Sequence, residues 1–386
     1  MIYLDHHATT PVDARVLEAM LPFFSQVFGN PASRQHKFGW DAADAVERAR
    51  KQVAMLMGAA PKDVIFTSGA TEANNLAIKG IANAAGSTES RRDHIVTVVT
   101  EHKAVLDPVR SLERRGWRIT VLPVGRDGIV DVSAVADAVT DRTALVSVMA
   151  ANNEIGVLQP VRAIADVAHA KGALMHTDAV QAAGKVPFDV DEADVDLASF
   201  TAHKMYGPKG AGALYVRRKR VALAAEIEGG GQERGLRSGT LNVPGIVGLG
   251  AAAEIARSEM PVESVRVRAL RDRLLAQLRE STTGMTVNGS LSERLPGNVN
   301  VSFDGVDGEA LLVSLGDVAV SSGSACTQAE PSHVLMALGH TRERALASLR
   351  FGIGRGTTAA DVDTAGRMVA DAVRRLRERS PVKVAG

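Results

Sequence analysis

Short apolar runs alternate with helix-forming stretches between residues 60 and 220 of this 386-residue chain. Several runs are apolar at every position, which is typical of strands covered on both faces of a parallel sheet. The stretches between them, such as 71–83, 102–115 and 161–171, have helical spacing. Seven runs are candidate strands: 64–67, 95–100, 119–124, 144–149, 174–177, 195–200 and 213–216. The alternation predicts an α/β architecture with right-handed crossovers.

The pattern changes after about residue 255. The predicted elements beyond it are a charged helix at 262–280, strands at 299–303 and 318–321, and helices at 308–315 and 360–379. Since the first residues are too few to fold alone, we expect them to pack near the domain junction. We predict a large α/β domain over 15–255 and a smaller α+β domain formed by 1–14 and 256–386.

Charge and composition exclude several classes of protein. Lys and Arg number 45 against 44 Asp and Glu, so the strong basic excess of a dedicated nucleic-acid binder is missing. No apolar run approaches the roughly 20 residues of a membrane span. The first residues have neither the basic nor the apolar region of a secretion signal. We therefore expect a cytoplasmic protein with no membrane contact and no direct contact with nucleic acid.

The chain has one cysteine, Cys326. An internal disulfide is therefore impossible, and a cysteine-rich metal site is excluded. A lone thiol is either a small buried hydrophobe or a reactive group, and the count alone favours the first. The residues around it, Ser322 to Ala325, are small and polar, which indicates a loop and not a core.

Two polar turns follow predicted strands. The turn from Thr67 to Glu72 opens a helix, and its backbone N–H groups and hydroxyls can bind an anion such as phosphate. The simpler interpretation is ordinary helix capping. Asp178 ends another strand, where open α/β sheets bind their ligands. Its carboxylate can pair with a protonated ring nitrogen, although an N-cap role is the commoner one.

A third strand end carries Lys204, before a Gly-Pro turn. A lysine in an apolar cleft has a lowered pKa and can form a Schiff base with an aldehyde, whereas most lysines simply lie on the surface. Together, a phosphate cradle, a partner for a pyridinium and an imine-forming lysine are the contacts that pyridoxal 5'-phosphate requires. His102, after a further strand, is a candidate for stacking on the ring or for moving protons.

With these motifs the chain resembles the IscS/NifS-like cysteine desulfurases, which are class-V, fold-type I pyridoxal-phosphate enzymes. The resemblance covers nearly the whole chain. It implies a large domain with a mostly parallel seven-stranded sheet and a smaller α+β domain that carries a catalytic cysteine loop. The motifs, in order, are Tyr3-Leu4-Asp5, Ala8-Thr9-Thr10-Pro11, Gly29-Asn30-Pro31-Ala32-Ser33, Ser68-Gly69-Ala70-Thr71-Glu72, Thr100-Glu101-His102, Asn152-Asn153-Glu154-Ile155-Gly156, Asp178 with Gln181, Ala202-His203-Lys204, 229–240, and Ser322-Gly323-Ser324-Ala325-Cys326.

The resemblance also implies roles for the cofactor-binding residues. Lys204 is expected to be the Schiff-base lysine and later the base that moves the Cα proton. Asp178 is expected to keep the pyridine nitrogen protonated, His102 to stack on the ring, and Gln181 to donate to the phenolic oxygen. The phosphate-binding positions are Ala70, Thr71, Thr201 and His203, together with Thr240 from a second subunit. Because Thr240 is expected to come from a second subunit, the resemblance implies a homodimer with composite active sites.

Three further residues have implied roles in the reaction. Asn153 and Arg350 match the positions that hold the substrate carboxylate. Cys326 matches the nucleophile that takes sulfur from L-cysteine, which leaves L-alanine and a persulfide. The residues from Ser322 to Cys326 match those of the cysteine desulfurases that carry this cysteine on a long mobile loop. The segment after Cys326 is about two residues shorter than in the best-known bacterial members, which shortens its reach by several ångströms.

Several questions stay open at the level of sequence. The adjacent His6 and His7 cannot both face one ion with Asp5, so we predict no metal site. Two basic clusters, 217–220 and 374–377, are either solvated surface or docking sites for an acidic scaffold or sulfur acceptor. The sulfur can serve iron–sulfur cluster assembly, tRNA thiolation, cofactor biosynthesis or DNA phosphorothioation. Alternatives to the desulfurase are an aminotransferase, a β-lyase, a selenocysteine lyase or a non-catalytic scaffold.

Overall fold

The computed structural model describes residues 1–85, 92–322 and 330–379. Cys326, on which the predicted sulfur chemistry rests, lies outside the described residues. The strands are β1 (Ile2–Tyr3), β2 (Val64–Thr67), β3 (His94–Val98), β4 (Arg118–Leu122), β5 (Thr143–Ser147), β6 (Leu174–Asp178), β7 (Leu197–Thr201), β8 (Gly212–Val216), β9 (Met285–Val287), β10 (Asn298–Phe303), β11 (Val318–Ala319) and β12 (Ser348–Gly352).

Helices cover the sheets and connect them. They are α1 (Ala14–Met20), α2 (Pro22–Ser25), α3 (Lys37–Leu56), α4 (Ala70–Ala85), α5 (Lys103–Glu113), α6 (Val132–Ala138), α7 (Val161–Ala170), α8 (Val243–Ser281), α9 (Gly308–Ser314), α10 (His333–Ala337), α11 (Arg342–Leu346) and α12 (Ala359–Arg379). Within the described ranges, none of them is long and apolar enough to cross a membrane.

The seven predicted strands between residues 60 and 220 form one sheet. Its order is β2-β8-β7-β6-β5-β3-β4, and only β8 runs antiparallel to its neighbours. Strands β2, β3, β5, β7 and β8 are buried at every position, as their continuous apolar character predicts. The mostly parallel seven-stranded α/β sheet predicted from the sequence is therefore confirmed.

The C-terminal part of the chain forms smaller sheets. Strands β12, β10 and β9 pair antiparallel, and β1 pairs with β11 in parallel. A second hydrophobic cluster lies here, and Leu4 from the N-terminus packs in it with α8, α9 and α12. The division of the chain into domains at residues 255 and 256 stays a prediction, and it falls within α8.

Helix α8 is longer than the sequence indicates. The charged pattern predicts a helix over 262–280, whereas the helix begins at Val243. Glycines in its first half weaken the helical signal, because glycine lowers helix propensity. They serve packing instead: a Cβ on Gly250 would lie 2.6 Å from Cα of Ala49 in α3. The glycines let the two helices approach closely, which sequence spacing cannot reveal.

Candidate active site

The turn between β2 and α4 forms one wall of the site. Gly69 has φ of 156°, in the region that favours glycine, and Gly212 of β8 packs against it with no room for a side chain. Glu72 in the first turn of α4 accepts a hydrogen bond from the Ser68 N–H at 2.8 Å. The helix N-terminus therefore faces an open cleft with its backbone N–H groups and positive dipole end, as an anion site requires.

Asp178, at the end of β6, provides a carboxylate beneath this wall. The residue is buried, its Oδ1 accepts from the Val180 N–H at 3.0 Å, and its Oδ2 accepts from Nδ2 of Asn74 at 2.8 Å. Asn74, which is fully buried on α4, is not among the residues predicted from the sequence. The available signal was its spacing: it follows Ala70 by four residues and so lies on the same helix face, one turn deeper.

Glu101 is a second carboxyl group close to Asp178. It is fully buried, and its Oε1 accepts from the Met149 N–H at 2.5 Å. Burial, with the neighbouring Asp178 carboxylate, raises the pKa of Glu101 well above its usual value. The surroundings therefore favour the protonated form of Glu101 more than water does.

Lys204 follows β7 in a short 3-10 turn and reaches across to the N-terminal segment. Its Nζ donates to the backbone oxygens of His7 and Ala8 at 2.5 and 2.6 Å. Burial and the nearby Arg350 lower its pKa from 10.5 to about 8, against the opposing effect of Asp5 and Asp178. The lowered pKa agrees with the prediction from the sequence, whereas the hydrogen bonds to the N-terminal backbone were not predicted.

His102 caps the N-terminus of α5. Its Nδ1 accepts from the Ala104 N–H at 3.1 Å, so in the neutral ring the proton lies on Nε2. Desolvation by the cleft lowers the pKa of His102, and Asp178 opposes this. The ring therefore presents its N–H edge as a neutral imidazole at neutral pH.

Two of the predicted phosphate-binding side chains, Thr201 and His203, line the same cleft. Thr201 donates its hydroxyl to the Ala211 carbonyl at 3.0 Å, which leaves its lone pairs free to accept. Nδ1 of His203 lies 3.1 Å from Oγ1 of Thr9. Burial and the adjacent Lys204 lower the pKa of His203 to about 4, so it is neutral at neutral pH.

Arg350 is buried beside the cleft without lining it. One terminal nitrogen donates to Oδ1 of Asp5 at 2.7 Å and to Oγ of Ser321 at 3.1 Å, and the other donates to the Asn153 carbonyl at 3.1 Å. Its Nε has no hydrogen-bond partner among the described residues. Asn153 itself lines the cleft. The two predicted carboxylate-binding residues are thus in contact, with Arg350 held by Asp5.

Thr240 is exposed and does not line the cleft of its own chain. The segment that carries it is fixed by Glu233, whose carboxylate forms a buried two-bond ion pair with Arg50, both bonds 2.8 Å long. Glu233 and Arg234 have φ of 48° and 59°, a strained conformation that this contact holds in place. Arg237 joins the segment to Glu72 at 2.8 Å.

Nine of the twelve predicted site residues meet at one cleft of about 490 Å³. They are Ala70, Thr71, His102, Asn153, Asp178, Gln181, Thr201, His203 and Lys204. The polar groups of the cleft fit a phosphate-bearing pyridine aldehyde: N–H groups for the phosphate, a buried carboxylate for the ring nitrogen and a lysine for the aldehyde. No group of three or more His, Cys, Asp or Glu side chains could hold a metal ion within residues 1–85, 92–322 and 330–379.

Comparison with known proteins relates this chain to known enzymes. The family model described as aminotransferase class-V matches residues 2–364. A cysteine desulfurase IscS from Anaeromyxobacter sp. (strain Fw109-5) is 58% identical over 384 residues, covering 99% of this chain and 94% of that protein. A solved NifS-like protein aligns with a TM-score of 0.90 at 39% identity, over 97% of this chain and 100% of that one. A structure described as SspA in complex with cysteine aligns at 0.82 and 36% identity, over 92% and 99%.

Proposed function

Because this chain belongs to the aminotransferase class-V family, we propose that the cleft around Lys204 and Asp178 carries out a cysteine desulfurase reaction with pyridoxal 5'-phosphate. The observation that carries this is the meeting of an amine, a buried carboxylate and a helix N-terminus at one cleft. Identity of 53–58% to curated cysteine desulfurases over 99% of the chain supports it.

The cofactor-binding residues have separate tasks. Bound pyridoxal phosphate supplies an electron sink that stabilises negative charge at the substrate Cα. Asp178, which Asn74 orients, keeps a proton on the ring nitrogen and so maintains that capacity. Lys204 would hold the aldehyde and move the Cα proton, a task that suits an amine whose pKa is about 8. His102 would cover the ring, and Gln181 would donate to the phenolic oxygen.

The phosphate group would be held at the start of α4. Ala70 and Thr71 supply N–H groups at the start of α4, and Thr201 and His203 supply side-chain partners. Thr240 of a second subunit completes the cradle. The exposed position of Thr240 in its own chain supports this arrangement.

The substrate carboxylate binds at Asn153 and Arg350. Arginine suits this role because its planar fork binds a carboxylate through two hydrogen bonds. Asp5 holds the guanidinium of Arg350. Binding of L-cysteine therefore requires Arg350 to share or exchange that contact.

Cys326 is the proposed nucleophile. Its thiolate attacks the substrate sulfur, the C–S bond of cysteine breaks with the electron pair passing to carbon, and carbon takes up a proton. L-Cysteine and the Cys326 thiol become L-alanine and a Cys326 persulfide, so atoms and electrons balance. A persulfide is a reversible modification, which suits a donor that passes sulfur to an acceptor.

A homodimer is supported by an aromatic surface near the N-terminus. Phe24, Phe28, Phe38 and Trp40 are each more than half exposed, and the rings of Phe28 and Phe38 lie 5.2 Å apart. Exposed large apolar side chains that lie together, as Phe28 and Phe38 do, mark an interaction surface. A second copy fits best, since the proposed phosphate cradle also needs Thr240 from a partner.

The persulfide passes its sulfur to an acceptor or scaffold protein in the cytoplasm. The roles such a transfer can serve are iron–sulfur cluster assembly, tRNA thiolation, cofactor biosynthesis and DNA phosphorothioation. In the first basic cluster, Arg217 pairs with Asp191 at 2.6 Å and Arg220 with Asp194 at 2.9 Å. These internal ion pairs favour a solvated surface over an acceptor-docking site there.

The test compares the Cys326→Ser variant with the wild type. We expect the variant to retain the visible absorbance of bound cofactor but to form neither alanine nor sulfide from L-cysteine with a thiol reductant. The Lys204→Ala variant serves as control and should lose the lysine-linked absorbance.

Three results would contradict the proposal. Unchanged sulfide release by the Cys326 variant would show that another group is the nucleophile. Keto-acid formation from the substrate would identify an aminotransferase. Faster turnover of selenocysteine than of cysteine, without need for Cys326, would identify a selenocysteine lyase.

A further inference from the structure

A second lysine lies behind the cleft, and none of the roles described above uses it. Lys185 follows Asp178 by seven residues, in the turn after β6, and is partly buried. Its Nζ donates to Oε1 of Gln181 at 2.6 Å. Gln181 is the residue whose amide is proposed to donate to the phenolic oxygen of the cofactor, so Lys185 contacts the back of that group.

The carboxamide of Gln181 is bound at both ends. His7 Nδ1 lies 3.0 Å from its Oε1, and its Nε2 donates to the His7 backbone oxygen at 3.0 Å. Burial, with the positive charge of Lys185, lowers the pKa of His7 well below its usual value, so the ring is neutral. A carboxamide oxygen only accepts, and the proton of the neutral ring therefore lies on Nδ1. Lys185 Nζ and His7 Nδ1 therefore both donate to Oε1 of Gln181.

These contacts decide which end of the carboxamide faces the cleft. An amide with few partners rotates by 180° and exchanges its oxygen for its nitrogen. Here a rotated amide would place its NH₂ group against Nζ of Lys185 and Nδ1 of His7. Two donor–donor contacts would replace two hydrogen bonds, which disfavours that orientation strongly.

The surroundings of Lys185 make a charged amine unfavourable at this position. Burial, Lys204 and Arg350 lower the pKa of Lys185, and Glu263 is the opposing carboxylate. An amine in such a place is unfavourable unless its hydrogen bond is needed. Among the described residues, the hydrogen bond to Gln181 is the contact that accounts for a lysine at this position.

We propose that Lys185 is a positioning residue that holds the Gln181 carboxamide with its N–H group towards the phenolic oxygen of the cofactor. This inference rests on the proposed function. An N–H donor stabilises the charged form of that oxygen and thereby lowers its affinity for a proton. If Gln181 turns its own oxygen to the cleft, repulsion between the two oxygens raises that proton affinity.

The experiment titrates the visible absorbance of bound cofactor with pH. Lys185→Met removes the donor and keeps a similar stem. We expect the titration midpoint of the visible band to rise by about one pH unit, and cofactor affinity to fall by about tenfold, which is the effect of one lost hydrogen bond. Lys185→Arg, which restores an N–H donor, should return the midpoint towards the wild-type value.

A double-mutant cycle separates positioning from simple loss of charge. In a Gln181→Leu background the added Lys185→Met change should shift the midpoint no further, because Lys185 acts through Gln181. An equal shift in both backgrounds, or no shift in the single variant, overturns the proposal. If Lys185→Met fails to fold, Gln181→Glu is used: it keeps the partner of Lys185, removes the amide donor, and must raise the midpoint.

The wild-type titration distinguishes a failure of the proposed function from a failure of the positioning role. A wild-type protein that develops no visible band with pyridoxal phosphate refutes the proposed function. A wild-type protein with a titratable band, together with a Lys185→Met variant that titrates identically, refutes only the positioning role.

Discussion

The lowered pKa of Lys204 predicts how the cofactor-free protein captures pyridoxal phosphate. Only a neutral amine adds to an aldehyde, so the capture rate should follow deprotonation of Lys204. Burial and Arg350 lower the pKa from 10.5 to about 8. We therefore expect the rate constant to rise with pH and to level off above a midpoint near 8.

The size of the effect follows from that shift. At pH 7 an amine with a pKa of about 8 is about one-tenth neutral, whereas an ordinary lysine is neutral in only about one molecule in 3,000. The site should therefore contain about 300 times more reactive amine than a surface lysine does at neutral pH. This gain requires the protein to hold Lys204 in the cleft, away from bulk water.

The assay follows the appearance of visible absorbance after cofactor-free protein is mixed with excess pyridoxal phosphate across a pH series. Each rate is divided by that of a free lysine analogue under the same conditions, which cancels titration of the aldehyde itself. The Lys204→Ala variant should show no lysine-linked phase. The Arg350→Gln variant should have a higher midpoint, because it removes the second cause of the lowered pKa.

Two outcomes would refute this reasoning. A midpoint near that of free lysine would mean that burial does not lower the pKa, and that the carbonyls of His7 and Ala8 hold the ammonium form. An unchanged midpoint in Arg350→Gln would show that this guanidinium does not act on the lysine.

Two other predictions concern stability and assembly. Burial raises the pKa of Glu154 from 4.5 to about 7, so the folded protein keeps a proton that the unfolded chain loses between those values. As pH rises through this window, the wild type should therefore lose up to about 3 kcal/mol of unfolding free energy relative to Glu154→Gln. Urea unfolding measures this loss, and parallel pH profiles of the two proteins would contradict the prediction. Replacing Phe28 and Trp40 together with glutamate should halve the mass measured by sedimentation, and an unchanged mass would show that the dimer uses another surface.

Much of the cleft could be predicted from the sequence because its residues follow strands. Thr67, Asp178 and Thr201 each end a strand of one sheet, and parallel strands bring such ends to the same edge. Local pattern therefore sufficed to group the cradle, the carboxylate and Lys204. The roles of these residues came from the family resemblance, and they stay predictions until the variants are measured.

Other parts of the site depend on contacts that no local pattern records. Asn74 carries a weak signal on its helix, but its bond to Asp178 spans more than a hundred residues. Arg350 was predicted to meet the substrate, yet its partner is Asp5, at the other end of the chain. The sequence shows Glu101 only as a second acidic residue, and its burial beside Asp178, which raises its pKa, exists only in the folded chain.

The sequence by itself indicated the candidate strands of an α/β fold, the single thiol and the strand ends at which the cleft forms, because apolar runs and their succession along the chain are local properties. The tertiary structure decided the electrostatics and the orientations. It placed the N-terminal segment across the cleft, where the His7 backbone holds Lys204 and the His7 side chain, with Lys185, holds Gln181. Those effects depend on burial and on long-range hydrogen bonds, which exist only once the chain has folded.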